Sequence, residues 1–139
     1  YARAAADAAG LADRIEAVAA DAKDTPLPSG AFDVIFSNSI LHHITDTGAF
    51  WSEVRRLAAA GAAVLLRDLA RPASAEAAED IVRTYASGES ELLRAEFHRS
   101  LLSAYTPQEV RHQLRKAGLN TLRVERVSDR HLDVCGTLP

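Results

Sequence analysis

The sequence predicts an α/β domain built on an open, mostly parallel sheet with helices on both faces. Short apolar runs without polar alternation are typical of strands that are buried on both faces. Segments with helical periodicity separate these runs along the chain, as in sheets whose strands are joined by helices. The length of 139 residues, of which 47% are hydrophobic and 25% charged, is that of one globular domain.

Five segments are predicted to form strands. The first three follow from apolar runs. The last two are joined by three turn-forming residues, so the final strand is predicted to run antiparallel to its neighbour. The predicted strands are residues 15–20, 32–37, 62–66, 121–127 and 131–136.

The helices are predicted from periodicity and from their end signals. Gly10 and Gly118 suit the left-handed position after a helix. Thr106, Pro107 and Glu109 form a helix start with a capping box. The predicted helices are residues 2–9, 46–59, 74–86, 89–105 and 106–117.

Composition narrows the function classes. The net charge is −3 with the two signs interspersed, which disfavours a nucleic-acid partner. No apolar run approaches the ~20 residues of a membrane-spanning helix. Cys135 is the only cysteine, which favours a reducing, cytoplasmic setting. The five histidines include no pair at zinc-ligand spacing, so no metal site is predicted.

Two longer runs carry a family resemblance. Residues 9–22 read AGLADRIEAVAADA and residues 26–43 read PLPSGAFDVIFSNSILHH. In this order and spacing they resemble the class I S-adenosylmethionine-dependent methyltransferases, and most closely the type 11 or UbiE-like group. The similarity continues through residues 57–68 and 106–119. It implies a Rossmann-like, doubly wound sheet of which strands 3 to 7 of the family's seven are present, so that residues 1–139 form the C-terminal two-thirds of a single methyltransferase domain.

The resemblance implies S-adenosylmethionine as cofactor. It implies that the Asp21 carboxylate accepts a hydrogen bond from the adenine amino group and that the Ala22 amide meets a ring nitrogen. It also implies that Ser37 and Asn38 lie near the cofactor's ammonium group and the point of methyl transfer. Asp21 is also consistent with a solvated loop carboxylate, and Ser37 and Asn38 with an ordinary turn after a strand.

Three residues are candidates for catalysis. His42 and His43 follow the second strand, and a histidine near neutral pKa suits the removal of a proton from an oxygen or nitrogen nucleophile. A structural or adenine-side role for the pair is equally consistent with the sequence. Asp68 ends the third predicted strand and is expected either to orient substrate or act as a base, or to form an ion pair with Arg67 or Arg71.

The remaining apolar residues suggest packing and an acceptor-side segment. Phe50 and Trp51 are predicted to lie in the core. Residues 71–105 are long for a connection between strand and helix, and are predicted to be a helical insertion on the substrate side. The apolar residues that would face either the acceptor or the body of the domain are Leu92, Leu93, Phe97, Leu101, Leu102 and Tyr105.

The sequence lacks two features that the family places before strand 3, namely a Gly-rich loop and the acid that binds the ribose. It also contains no methionine, so we expect residues before Tyr1 in the natural chain. In the family order 3-2-1-4-5-7-6, residues 15–20 would have no neighbouring strand and residues 32–37 would be an exposed apolar edge. We therefore expect that residues 1–139 alone neither complete the sheet nor act as an enzyme.

The function predicted for the complete protein is methyl transfer from S-adenosylmethionine to a small-molecule or lipid-like acceptor. One alternative is a non-catalytic remnant or partner subunit that keeps the fold. Another is a nucleotide-dependent oxidoreductase, which the antiparallel last strand disfavours. A homodimer, or a partner chain that completes the sheet, is an expected form of assembly.

Overall fold

The computed structural model describes all 139 residues and contains one four-stranded sheet. Its strand order is β1-β2-β4-β3. β1 and β2 are parallel, and β4 is antiparallel to both of its neighbours. The α/β fold class and the antiparallel last strand are therefore confirmed. The strands are β1 (Phe32–Asn38), β2 (Ala58–Leu69), β3 (Arg123–Arg126) and β4 (His131–Thr137).

Five α-helices and one short 3-10 helix accompany the sheet. The 3-10 helix, Leu41–His43, is called the histidine turn below. The α-helices are α1 (Ala2–Ala8), α2 (Thr47–Leu57), α3 (Ala75–Tyr85), α4 (Glu91–Ser103) and α5 (Pro107–Lys116).

The end signals of the helices act as the sequence predicts. The capping box of α5 is present, with Thr106 Oγ1 accepting from the Glu109 amide at 3.2 Å and Glu109 Oε2 accepting from the Thr106 amide at 2.7 Å. Gly10 and Gly118 have φ of +66° and +72°, a conformation that costs a side-chain-bearing residue about 1–2 kcal/mol.

The prediction of a strand at residues 15–20 is wrong. These residues have no regular structure and no ladder partner, and Ile15 and Val18 remain 47% and 43% exposed. A strand needs a neighbour to bind its backbone N–H and C=O groups, and no strand of this sheet is adjacent. Asp21 and Ala22 therefore do not end a strand. They lie in a turn that an isolated bridge between Asp21 and Asp24 closes.

The main core lies between one face of the sheet and helices α2 and α5. Trp51 is fully buried and its Nε1 donates to Gln113 Oε1 of α5 at 3.1 Å. Phe50 is also buried, so the prediction that both aromatic residues pack in the core is confirmed. A second, smaller core forms where α3 and α4 cover the end of β2, around Leu69 and Leu101.

The opposite face of the sheet is open along β1 and β2. On β2, Val64 and Leu66 are buried, whereas Leu65 between them is 48% exposed. Its neighbours on β1, Val34 and Phe36, are 60% and 78% exposed. β1 pairs on one side only, so the prediction that this strand is an exposed apolar edge is confirmed. Such an edge is a template for association with another chain.

Residues 1–139 produced alone are therefore expected to self-associate through this edge and face. A Phe36→Lys change should reduce the association, because it places a charge on the exposed apolar face. The control is Leu92→Lys on α4, which also replaces an exposed apolar side chain by a charged one but lies outside this face, and it should leave the association unchanged. Sedimentation velocity over a concentration series measures this. A monomeric wild-type fragment that unfolds in one cooperative transition would contradict the expectation.

Candidate functional site

The carboxyl ends of β1 and β2 meet because the two strands are parallel. Asn38, the last residue of β1, lies in register with Arg67 near the end of β2. Ser39 then adopts a left-handed conformation with φ of +59°, and its amide donates to the Arg67 carbonyl at 2.9 Å. This turn directs the chain from β1 across the end of β2 and into the histidine turn. In open α/β sheets, ligands bind outside this end of the strands.

Asp68 is the most connected side chain at this end of the sheet. It is 2% exposed. Its Oδ2 accepts from the Leu41 amide at 2.6 Å, and its Oδ1 accepts from its neighbour, the Leu69 amide, at 2.8 Å. Oδ1 also lies 2.6 Å from Nδ1 of His42. The carboxylate therefore joins the end of β2 to the start of the histidine turn and to a histidine ring.

The bond to Asp68 sets the chemistry of His42. A carboxylate only accepts hydrogen bonds, so the neutral imidazole carries its proton on Nδ1 and leaves Nε2 as a proton acceptor. Nε2 makes no hydrogen bond within the chain. The His42 side chain is 5% exposed, and the His43 ring packs against it with 4.0 Å between ring centroids. The buried carboxylate thus orients the His42 ring and leaves one ring nitrogen able to accept a proton.

The expectation of an ion pair between Asp68 and Arg67 or Arg71 is wrong. Arg67 lies on the open face of the sheet and pairs with Asp133 of β4 at 2.7 Å, because successive strand residues point to opposite faces. Arg71 pairs with Glu109 of α5. Asp68 therefore binds the histidine turn instead. Its pairing with His42 spans 26 residues of sequence, and no local motif predicts it.

The predicted cofactor residues are brought only partly together. Ala22 and Ser37 line one shallow cavity of about 230 Å³ beside the end of β1, here called the β1 cavity. Asp21 and Asn38 are not among its lining residues. The wall is mainly apolar. Its polar residues are Thr25, Ser37 and Glu53, and its apolar residues include Ala22, Ile35 and Ile40.

The Asp21 carboxylate is engaged locally. It accepts from the Lys23 ammonium at 2.8 Å and from the Lys23 amide at 2.9 Å. These bonds, the side-chain one first, lower the pKa of Asp21 below its usual value, so that it is ionised at neutral pH. The side chain is 55% exposed, which leaves it accessible as a hydrogen-bond acceptor.

A second buried carboxylate fixes the turn that carries Ala22. Glu53 Oε1, from α2, accepts from the amide and the hydroxyl of Thr25 at 2.9 and 2.6 Å. Arg56 binds the same carboxylate and donates to the Leu27 carbonyl at 2.8 Å. Hydrogen bonds from Arg56, and then from Thr25, lower the pKa of Glu53 to about 2. Sequence reasoning missed this cluster, whose only local signal is the Glu-x-x-Arg spacing on one helix face.

The β1 cavity fits the adenine half of S-adenosylmethionine in chemical character. Apolar walls with a few polar groups suit a flat heteroaromatic ring. Ile40 and Ile35 supply such walls, Ser37 supplies a hydroxyl, and Asp21 supplies an accessible acceptor one residue before Ala22.

Comparisons with known proteins show similarity to methyltransferases. Residues 1–66 match the family model described as "Methyltransferase domain". Ajmaline N-methyltransferase of Rauvolfia serpentina is 38% identical over 61 residues, which cover 44% of this chain and 21% of that protein. The chain thus matches about a fifth of that relative's length.

Solved structures share the fold over nearly the whole chain. A SAM-dependent methyltransferase from Aquifex aeolicus has a TM-score of 0.69 at 20% identity, covering 100% of this chain and 62% of that one. Geranyl diphosphate C-methyltransferase from Streptomyces coelicolor, in complex with S-adenosyl-L-homocysteine, has a TM-score of 0.65 at 10% identity, covering 99% and 59%.

Residues 1–66 thus match a methyltransferase domain, and the chain as a whole shares the Rossmann-like fold of solved S-adenosylmethionine-dependent methyltransferases. None of its helices combines the length and the apolar composition that crossing a membrane requires.

The Glu53 cluster predicts a defined pH dependence of stability. Because the pKa of Glu53 is lowered to about 2 from an ordinary 4.5, its contribution is complete above pH 4.5 and is lost as the pH falls from 4.5 towards 2. Glu53→Gln should therefore lower stability at pH 7 and make it less dependent on pH between 4.5 and 2. Urea unfolding of the full-length protein across this range measures both effects. Glu125→Gln, an exposed carboxylate on β3, is the control, and an unchanged pH slope in Glu53→Gln would count against the cluster.

Proposed function

We propose that the protein carrying this chain transfers the methyl group of S-adenosylmethionine to a small-molecule or lipid-like acceptor. The observation that supports this most directly is the His42–Asp68 pair at the carboxyl end of β1 and β2, in a chain of the methyltransferase class. When bound, the cofactor supplies an electrophilic methyl group on a sulfonium sulfur, which the acceptor attacks in line.

The cofactor's adenine end is assigned to the β1 cavity. In this proposal the Ala22 amide and the Asp21 carboxylate bind the edge of the ring, while Ile40 and Ile35 contact its faces. Ser37 and Asn38 are directed towards the methionine half and the transfer point. Support comes from the shared lining of Ala22 and Ser37 and from the exposure of Asp21 and Asn38.

His42 is the proposed base. Nε2 of His42 would take the proton of an acceptor hydroxyl or amine, and the Asp68 carboxylate on the other ring nitrogen would stabilise the resulting imidazolium. The bound cofactor would supply the methyl group and leave as S-adenosylhomocysteine. Asp68 is then a positioning residue, since both of its oxygens are already bonded inside the protein. His43 contacts the His42 ring and is the alternative base.

The acceptor is assigned to the side formed by α3 and α4. α4 packs on the histidine turn, so the 71–105 segment borders the proposed base. Leu92, Leu93 and Leu102 of α4 remain exposed and would suit an apolar acceptor. The similar proteins include an N-methyltransferase and a C-methyltransferase, so the atom that is methylated differs among them.

The setting of the enzyme is part of the proposal. The lone Cys135 favours a reducing, cytoplasmic compartment, and the interspersed charges disfavour a nucleic-acid partner. The exposed edge of β1 would be covered by additional strands, which further chain, a second copy or a partner subunit would supply.

A non-catalytic methyltransferase-like subunit is the alternative function. It shares the fold but requires neither cofactor binding nor a proton acceptor. The buried, fully hydrogen-bonded Asp68 and its histidine favour the enzyme, because a carboxylate is costly to bury where no function retains it.

Calorimetric titration of the full-length protein with S-adenosylhomocysteine should give binding, and Asp21→Ala should weaken it about fivefold to a hundredfold through loss of the adenine hydrogen bond. Asp24→Ala, three residues along the same turn, is the matched control and should bind as the wild type does. No heat and no thermal shift with the wild type would favour the non-catalytic alternative.

His42→Gln should reduce methyl transfer about 100-fold or more while leaving S-adenosylhomocysteine affinity within about twofold, because it removes the proton acceptor and not the cofactor contacts. Turnover is measured with an acceptor identified by screening radiolabelled S-adenosylmethionine against small molecules. His112→Gln on the surface of α5 is the control. Full activity in His42→Gln would exclude this residue as the base.

A further inference from the structure

The histidine turn is held at both of its ends. At its start, the Leu41 amide donates to Asp68 Oδ2 at 2.6 Å. At its end, the carbonyl of Ile44 accepts from the hydroxyl of Tyr105 at 2.6 Å. The Ile44 amide closes the turn on the Leu41 carbonyl at 3.0 Å. His42 and His43 therefore lie between two tertiary hydrogen bonds.

Tyr105 is itself fixed to the end of β2. Its backbone forms a parallel bridge with Ala70, and its carbonyl accepts from the Arg71 amide at 3.2 Å. The Arg71 guanidinium donates to the Ala104 carbonyl at 3.3 Å. The two groups that hold the histidine turn, Asp68 and Tyr105, are thus both positioned by the same strand end.

The hydroxyl of Tyr105 acts as a donor. Burial raises the pKa of this tyrosine, so the group keeps its proton at neutral pH. Its ring packs against the main core, a contact that phenylalanine would preserve. What the hydroxyl adds is the bond to Ile44, the residue that directly follows His43.

We infer that Tyr105 is a positioning residue: its hydroxyl fixes the end of the histidine turn and so holds the His42 ring against Asp68. It also joins the 71–105 segment, whose last residue it is, to the histidines. A role of this link in catalysis rests on the proposed function, in which His42 is the base. The hydrogen bond from Tyr105 to Ile44 does not depend on that proposal.

Tyr105→Phe removes only the hydroxyl and tests the inference by NMR of the full-length protein with 15N-labelled histidine. In the wild type, the Nδ1 proton of His42 is expected to give a signal that exchanges slowly with water. In Tyr105→Phe, this exchange and that of the Ile44 amide should be about five to ten times faster, the ratio that one neutral hydrogen bond contributes. Asp68→Ala, which removes both acceptor oxygens, identifies the signal by abolishing its protection.

Tyr85→Phe is the matched control. It also removes one tyrosine hydroxyl, which donates to Asp129 Oδ2 at 2.8 Å, but on α3 and away from the histidine turn. It should leave both exchange rates at wild-type values. All variants are compared at a temperature where each is fully folded, so a general loss of stability does not imitate the effect.

Two results would overturn the inference: exchange at His42 and Ile44 that is the same in Tyr105→Phe as in the wild type, or the same acceleration in Tyr85→Phe. Because the measurement needs no methyl acceptor, it is independent of the proposed function. If the wild type binds no S-adenosylhomocysteine but exchange is faster in Tyr105→Phe, the proposed methyltransferase function is rejected and the positioning role of Tyr105 is retained.

Discussion

The carboxylate of Asp68 is the group on which the candidate site depends. Removing an ionised carboxylate from water costs several kcal/mol unless donors inside the protein replace the lost solvation. Here the amides of Leu41 and Leu69 and the ring of His42 replace it. The same bonds fix the path of the chain after β1, because Leu41 is held only if Ser39 turns the chain across the end of β2. The charge, the turn and the histidine are therefore parts of one arrangement.

Two buried carboxylates fix two different turns beside β1. Asp68 fixes the histidine turn, and Glu53 fixes the turn of residues 21–25, which carries the proposed adenine contacts. Each carboxylate binds a backbone amide of a short turn, Leu41 in one case and Thr25 in the other, and each comes from a longer element, a strand or a helix. The two turns proposed to carry ligand contacts are thereby held by side chains from the packed body of the domain.

The two faces of the sheet differ in a way that bears on assembly. One face is covered by α2 and α5 and contains the main core, with Val64 and Trp51 buried. The other exposes Phe36 and Leu65 beside the unpaired edge of β1. The β1 cavity lies along this same strand, so whatever covers the edge also borders the proposed cofactor site. Completion of the sheet and completion of the site are consequently linked.

The sequence by itself determined the features that depend on near neighbours. The capping box at Thr106, the left-handed Gly118 and the apolar strands β1 and β2 follow from residues within a few positions of one another. His42 and Asp68 were candidates because of their chemistry and their positions after predicted strands. Tertiary structure decided the rest. Residues 15–20 have strand-like composition but form no strand, since a strand exists only beside a partner. Asp68 binds His42 and not an adjacent arginine, because strand alternation points Arg67 to the other face. The bond from Tyr105 to Ile44 spans 61 residues, and the bridge between Tyr105 and Ala70 at the end of β2 brings the two together.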